Sequence, residues 1–373
     1  MLKQALILAG GLGTRLGVLT QAMPKPMLPV AGRPFLEHVI FNLRRHGLDK
    51  IVLSVGHLAD RVMDHFGDGG SLGVSITYSR EISPLGTGGG LRHALPMLGD
   101  SFLVLNGDTL FDCNYLDMAR LLGNDVLAVL GLRHVEDASR YGSVHLEGGR
   151  VLGFHEKSRT GAGLVSGGVY AFTRQAAELL PLGASSIETG LFPLLAQRGF
   201  LAAKAYRAYF IDIGLPSTLS QADTAIPKWQ RKPGIFIDLA SLLSPSCAFG
   251  FVPGGAVWTD DAVSAVKWCN DGGYLVFGLA EKADRWPAPE RESFLEEPRR
   301  MGAHLDALYP CDATAFLDWS DQARKDWDLD LARSLLLSGR WSDGAVGEIP
   351  RRAVHVTSSS SLSEYVKKVV PPL

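Results

Sequence analysis

Leu8-Ala-Gly10-Gly11-Leu12-Gly13-Thr14-Arg15-Leu16 sets three glycines and an arginine directly behind the apolar run Ala5–Ala9. A glycine loop that follows a buried strand lets backbone N–H groups come close to phosphate oxygens. No Gly-Lys-Ser/Thr follows, so this is not a Walker motif. As a dinucleotide fingerprint it fails, because Leu16 stands where the third glycine belongs. Arg15 suits a triphosphate, since a guanidinium can fork onto two oxygens. Further on, Pro24-Lys25-Pro26-Met27-Leu28-Pro29 holds a lysine between prolines. Fixed φ angles give that lysine a defined direction, from which it could neutralise an α-phosphate. Taken singly, a tight turn with a surface arginine and a solvated loop lysine are the ordinary alternatives.

Short β-branched runs alternating with amphipathic stretches must position these groups. Ala5–Ala9, Ile51–Val55 and Phe102–Leu105 read as strands, and Phe35–Arg45 carries apolar residues at helical spacing. This order predicts an α/β fold, Rossmann-like, with a mixed but mostly parallel sheet covered on both faces. Alternating segments over 126–172, with turns at Gly148-Gly149 and Gly161, predict extra strands and a β-rich lobe. Residues 1–226 form the first expected domain and 227–233, polar and flanked by prolines, a linker. A second α/β pattern opens with Gly234-Ile-Phe-Ile-Asp238. Within it 262–268 should be helical, 274–277 a strand and 290–308 mostly helical. The serine run from Thr357 predicts a flexible tail over 357–373.

A chain of 373 residues is long for one domain, so two are expected. A formal net charge of −2 gives no basic field to hold nucleic acid, and a nucleotide must be gripped locally. Cys113, Cys247, Cys269 and Cys311 form no CxxC pair and suggest reduced thiols rather than a disulfide framework. No apolar stretch is long enough for a signal-peptide core or a spanning helix. A soluble, cytoplasmic protein with no membrane partner is expected.

The glycine loop and the proline-flanked lysine together resemble the signature GGxGTRL…PKPMLP of the nucleotidyltransferases that activate sugar phosphates. The resemblance implies a Rossmann-like fold in which Gly10, Gly11, Gly13, Thr14 and Arg15, beside Leu8, hold the triphosphate. Lys25 would bind and activate the α-phosphate. In that reaction a sugar phosphate attacks the α-phosphorus of an NTP and pyrophosphate leaves. Two polyanions must meet, which calls for Mg²⁺ held by few carboxylates and the substrate phosphates. Asp108 closes the apolar run Phe102–Leu105 in Asn106-Gly107-Asp108, and ligand groups gather at the carboxyl ends of strands in such sheets. Asp212, in Tyr209-Phe-Ile-Asp212-Ile-Gly214-Leu-Pro216, is the second candidate metal ligand. Either aspartate alone is more often a turn or cap residue, but the family carries metal-binding aspartates in matching contexts.

Further segments carry the resemblance to residue 224 or so. Ser83-Pro84-Leu85-Gly86-Thr87-Gly88-Gly89 would lie near the nucleobase in relatives, through Pro84, Gly86, Thr87 and Gly88. Glu81 just before it could accept hydrogen bonds from a guanine edge. Arg140-Tyr141-Gly142-Ser143-Val144, Phe154-His-Glu156-Lys157 and Val165-Ser-Gly167-Gly168-Val169-Tyr170 match the sugar-phosphate side. There Gly107, Gly142 and Gly168 would approach the sugar, Glu156 its hydroxyls and Lys157 its phosphate. The combination is most similar to the D-glycero-D-manno-heptose 1-phosphate guanylyltransferases. This implies GTP and heptose 1-phosphate as substrates and a role in surface-polysaccharide precursor synthesis. Uridylyl-, thymidylyl- and mannose-directed relatives share much of the scaffold.

Residues 234–356 resemble haloacid-dehalogenase-type phosphatases, nearest to heptose bisphosphate phosphatases. Asp238 aligns with their nucleophile, whereas Ala240 replaces the aspartate that serves as acid and base and Ser241 the following glycine. Val276-Phe277-Gly278-Leu279 stands where relatives carry Thr or Ser and then Asn. Cys311 alone remains of a zinc loop, too few ligands for a tetrahedral site. Arg324-Lys325 stands near the lysine motif, and Ser342-Asp343 makes a poor metal motif. A carboxylate nucleophile without its acid/base partner should be nearly inert. The expectation is a degenerate module that serves structure and possible homo-oligomerisation. A bifunctional transferase–phosphatase and a non-catalytic nucleotide-sugar-binding regulator are the competing readings.

Overall fold

The computed structural model describes residues 2–11, 13–138, 142–155, 161–239, 258–281, 283–311, 322–323, 325–330, 333–338, 353–355 and 361–371. Two compact units divide the chain, Met1–Ile226 and Pro227–Leu373. Among the described residues no helix is long and apolar enough to cross a membrane.

The first unit begins with β1 (Gln4–Leu8), the β2–β3 ribbon (Pro29–Val30, Arg33–Pro34), α1 (Phe35–Arg45), β4 (Lys50–Val55) and α2 (Ala59–Phe66). It continues with β5 (Ser75–Arg80), α3 (Gly86–Ala94), β6 (Ser101–Asn106), β7 (Thr109–Phe111) and α4 (Tyr115–Ala119). Next come β8 (Ala128–Val135), β9 (Ser143–Glu147), β10 (Arg150–His155), β11 (Gly163–Thr173), α5 (Arg174–Glu178) and α6 (Phe192–Gln197). β12 (Leu201–Tyr206), β13 (Phe210–Asp212) and α7 (Pro216–Gln230) complete it.

Nine strands form one sheet in the order β5-β4-β1-β6-β11-β8-β12-β10-β9. The run β5-β4-β1-β6 is parallel, and Ala5, Leu6 and Ile7 at its centre are wholly buried, as a strand covered on both faces must be. Beyond β6 the ladder turns antiparallel, with β12–β8 the parallel exception among the described pairs. The sheet is therefore evenly mixed rather than mostly parallel. The extra strands expected over 126–172 are present, as β8–β11, and extend this same sheet. A run of apolar residues sets burial but not strand direction, and direction is where the expectation failed.

α3 is unusual in carrying Gly86, Gly88, Gly89 and Gly90 in its first turns, each costing about 1 kcal/mol against alanine. Close approach explains them. A Cβ on Gly89 would lie 2.3 Å from the Gly183 carbonyl oxygen, and one on Gly86 2.5 Å from that of Ser185. The helix is thereby pressed against the 183–185 turn.

The second unit holds β14 (Gly234–Asp238), α8 (Asp260–Asp271), β15 (Leu275–Glu281), α9 (Ala288–Arg300), β16 (Ala307–Cys311), β17 (Leu335–Ser338), β18 (Ala353–His355) and α10 (Leu362–Val369). Among the described residues its five strands are parallel in the order β16-β15-β14-β17-β18. The helix expected over 290–308 stops at Arg300, because Gly302 turns with φ +81° and the chain re-enters the sheet as β16.

Two boundary expectations are corrected. The first four residues of the expected linker, 227–230, are the last turn of α7. Of the tail expected over 357–373, residues 361–371 are described, and there 362–369 form α10, with Leu362 and Val366 buried in the second core. Ser361 caps the helix, and Asp261 of α8 accepts from the Ser361 and Ser363 hydroxyls, each at 2.6 Å, and from the Leu362 N–H at 2.6 Å. Trp268 Nε1 donates to the Val370 carbonyl at 2.9 Å.

Candidate active site

β1 and β6 run parallel, and Leu8 pairs with Asn106, so their carboxyl ends finish side by side. The chain leaves β1 toward β4 on one edge and returns to β6 on the other. Such a switch point opens a crevice in α/β sheets. A cavity of about 570 Å³ lies there. Leu8, Gly10, Gly11, Gly13, Thr14, Arg15 and Lys25 line it on the β1 side, and Asp108 on the β6 side. Glu81, Pro84, Gly86 and Thr87 close another wall.

The glycine loop continues into a 3₁₀ stretch, Thr14–Thr20, broken at Gly17 (φ 56°, ψ −122°). Gly13 is left-handed at φ +63°, where a Cβ would come within 2.8 Å of Thr20 Cγ2 and 3.2 Å of Lys25 Cβ. The Thr20 hydroxyl lies 3.2 Å from both the Gly13 and the Gly17 carbonyl and latches the loop on itself. Arg15 is exposed at the cavity and makes no ion pair among the described residues. Lys25 opens a one-turn 3₁₀ piece after Pro24 and ion-pairs with Asp108.

Asp212 reaches the site through the β7–β13 ribbon, where it pairs with Thr109. The Thr109 hydroxyl stands 3.1 Å from Asp108 Oδ1 and 3.3 Å from Asp212 Oδ2, and its one proton serves either. The Gly214 N–H donates to Asp212 Oδ1 at 2.5 Å. Burial pushes the Asp212 carboxyl up, and the Asp108 charge pushes it further. Lys25, Gly214 N–H and Thr109 only partly oppose this. Two carboxylates crowded until one resists ionisation, beside a cavity, form a hard oxygen donor set that fits a divalent cation completed by substrate oxygens. Among the described residues no group of three His, Cys, Asp or Glu side chains could hold a metal alone.

The wall that carries Glu81 is braced from within. Glu81 accepts from the Ser54 hydroxyl at 2.7 Å through Oε1 and from the Leu85 N–H at 3.0 Å through Oε2. Gly10 and Gly90 leave room for that carboxylate, since a Cβ on either would lie 3.1 or 2.9 Å from Oε1. Thr87 donates to Glu188 at 2.6 Å. The N–H groups of Gly88 and Gly89 go to the Ser185 carbonyl, so Gly88 is buried behind the wall instead of lining it.

The expected sugar-side residues are less assembled. Gly107 is buried and donates its N–H to the Leu8 carbonyl. Gly168 (φ +71°) sits at a β11 irregularity beside Asn106. Gly142 is exposed and does not line the cavity. Glu156 and Lys157, with Arg140 and Tyr141, lie outside the described residues, as do Ala240, Ser241, Arg324, Ser342 and Asp343. Asn106, Thr109, Glu188 and Gly214 were not singled out for roles from sequence. Only the Thr beside Asp108 and the Gly two places after Asp212 carried a local signal.

Known proteins resemble the chain over its first unit. The family model described as "Nucleotidyl transferase" matches residues 4–228. D-glycero-α-D-manno-heptose 1-phosphate guanylyltransferase of Campylobacter jejuni is 37% identical over 218 residues, covering 57% of this chain and 95% of that protein. Mannose-1-phosphate guanylyltransferase of Mycobacterium tuberculosis is 36% identical over 222 residues, 57% of this chain and 61% of that protein. The crystal structure of HddC from Yersinia pseudotuberculosis complexed with GMP-PN superposes with a TM-score of 0.54 at 32% identity, covering 60% of this chain and 99% of that one.

Proposed function

The chain belongs to the nucleotidyl transferase family, and we propose that it transfers a guanylyl group from GTP to D-glycero-α-D-manno-heptose 1-phosphate, releasing pyrophosphate. The observation that carries this is the meeting of Lys25, Asp108 and Asp212 at the end of a glycine-loop cavity. Support for the base and the sugar comes from the guanylyltransferase names of the relatives and from the two heptose-directed proteins among them.

The N–H groups of Gly10, Gly11 and Gly13, with Arg15, suit the β- and γ-phosphates. A phosphate oxygen of the sugar phosphate attacks the α-phosphorus, and the bond to the β-phosphate breaks with its electron pair leaving on pyrophosphate. Negative charge gathers around the α-phosphate as this happens. Lys25, exchanging its Asp108 partner for that charge, stabilises it. Charge stabilisation of this kind is the largest single catalytic effect in many enzymes. Asp108 and Asp212 would hold Mg²⁺, which supplies neutralisation of the substrate phosphates. Thr109 and the Gly214 N–H keep the two carboxylates aimed. A purely binding regulator has no need of both carboxylates, which disfavours that alternative. The reaction is a cytoplasmic one on this reading, without a nucleic-acid or membrane partner.

The second unit fits a haloacid-dehalogenase-like domain without phosphatase activity. Its all-parallel sheet with Asp238 at the end of central strand β14 supports the fold, and Ala240 in place of an acid/base supports the loss. Such a unit suits a structural role, including self-association of the chain.

A panel of NTPs crossed with sugar 1-phosphates, read by Mg²⁺-dependent pyrophosphate release, tests the assignment. GTP with the heptose phosphate should give the highest kcat/KM. No release with any pair would sink the enzyme reading, and preference for another base or sugar would correct the substrate.

A further inference from the structure

The β7–β13 ribbon, which carries Thr109 and Asp212, stands apart from the nine-stranded sheet. Two short strands alone are marginal in water, so other groups must hold them in place. At the carboxylate end the Ile213 N–H donates to the Asp108 carbonyl at 3.0 Å. At the far end the Asp112 N–H donates to the Tyr209 carbonyl at 2.9 Å. A Cβ on Gly167 of β11 would lie 2.3 Å from the Phe111 ring, so that ring is seated on the glycine.

Behind the far end lies a buried polar network based on α1. Arg45 Nη1 donates to Asp112 Oδ1 at 3.3 Å and to Asn42 Oδ1 at 3.2 Å. The Arg45 and Asp112 side chains are only 4% and 7% exposed. Asn42 Nδ2 donates to the Tyr115 hydroxyl at 2.9 Å, and that hydroxyl donates to the Phe111 carbonyl at 2.8 Å. Asn42 and Tyr115 are wholly buried. The Phe111 carbonyl and the Asp112 carboxylate are thus both tied to one turn of α1.

A buried ion pair is a costly way to stabilise a fold, because two charges must leave water and apolar residues of similar volume often serve as well. What it supplies is direction. We infer that the Arg45–Asp112 pair, with Asn42 and Tyr115, is a positioning device for Asp108 and Asp212. Asp108 precedes the first strand of the ribbon and Asp212 ends the second, so a tilt of the ribbon at Phe111 moves both carboxylates together. Neither Arg45 nor Asp112 lines the cavity, so both act through the ribbon and not on a substrate. The inference rests on the proposed reaction, in which the two carboxylates hold the divalent cation.

The test compares wild type with the double variant Arg45→Met/Asp112→Asn and with Tyr115→Phe. The double variant removes both charges at once, so neither is left buried alone. Tyr115→Phe alters no charge and keeps the ring. GTP is titrated calorimetrically into each protein, once with Mn²⁺ and once with a chelator, beside thermal melting and pyrophosphate assays. Mn²⁺ should tighten GTP binding to wild type. In the double variant the chelated affinity should stay within about twofold, while the affinity with Mn²⁺ falls about tenfold, the scale for losing groups that orient metal ligands. Its kcat should fall with the Mn²⁺ affinity. Tyr115→Phe should shift the same way by a smaller factor, and it decides the matter if the double variant does not fold. A lower melting temperature with unchanged Mn²⁺ affinity makes the network structural only and overturns the inference. A loss equal with and without metal does the same. Wild type that answers Mn²⁺ but releases no pyrophosphate sinks the proposed reaction, and the binding series still reads the ribbon. Wild type whose GTP affinity ignores Mn²⁺ overturns both the metal assignment and the positioning role.

Discussion

Asp108 and Asp212 flank one hydroxyl, that of Thr109, which pairs with Asp212 across the β7–β13 ribbon and follows Asp108 in the chain. A two-strand ribbon thus joins carboxylates from distant segments, and Lys25 balances one of them. Lys25→Ala and Asp108→Ala should each lower kcat by roughly 10²–10³-fold, the scale for losing one preorganised electrostatic group. Steady-state pyrophosphate assays check this, with circular dichroism confirming that both variants are folded. Rates near wild type would remove these residues from the chemistry.

Gly214 is where the cluster has least room. An added Cβ would stand 2.5 Å from Asp212 Oδ1 and 3.1 Å from Lys25 Nζ. Gly214→Ala should therefore cut turnover at least tenfold by displacing both charged groups, in line with the sensitivity of catalysis to small misplacements. The melting temperature should move little. Wild-type kinetics in this variant would show that neither group needs its present position.

Asp261 fastens α10 to α8. Burial alone would raise its carboxyl. Hydrogen bonds from Ser361 and Ser363, and from the backbone of Leu362 and Ser363, outweigh that and hold it below the ordinary value. A depressed carboxyl stabilises the fold above its unfolded value near ~3.9 and loses that contribution as pH falls through its folded value. Protection of the 362–369 amides, corrected for intrinsic exchange, should fall on acidification below about pH 4. In Asp261→Ala it should already be low at neutral pH. Slow exchange in that variant would show that packing by Leu362 and Val366 suffices.

Asp238 ends the central strand of the second sheet and is fully buried. The unit should release no phosphate from heptose 1,7-bisphosphate above background. Release that vanishes in Asp238→Asn would establish a working phosphatase and a bifunctional chain.

The glycine loop and Lys25 were legible in the sequence because their geometry is local. Gly10 to Arg15 and the prolines around Lys25 set backbone geometry within a few residues, and the cavity gathers them as expected. What failed was whatever depends on distant partners. Ser361 and Ser363 read as part of a loose tail until Asp261, far upstream, supplies the acceptor for both hydroxyls. Glu81 read as a ligand for a base, yet its carboxylate also ties Ser54 to Leu85. Arg45 and Asp112 carried no signal, since a charged residue at the end of an element is ordinary until its partner is placed.

The place of β1 between β4 and β6 also governs how the chain can be made. During synthesis from the amino end, β1 can pair early with β4. Its other edge has no partner until residues 101–106 have emerged, and β6 then waits for β11. An apolar parallel edge left open that long is open to self-association. The glycine loop, hung from the end of β1, cannot be complete before then. For this protein, slow translation or chaperone shielding over the first hundred or so residues should matter more to yield than the stability of the finished sheet.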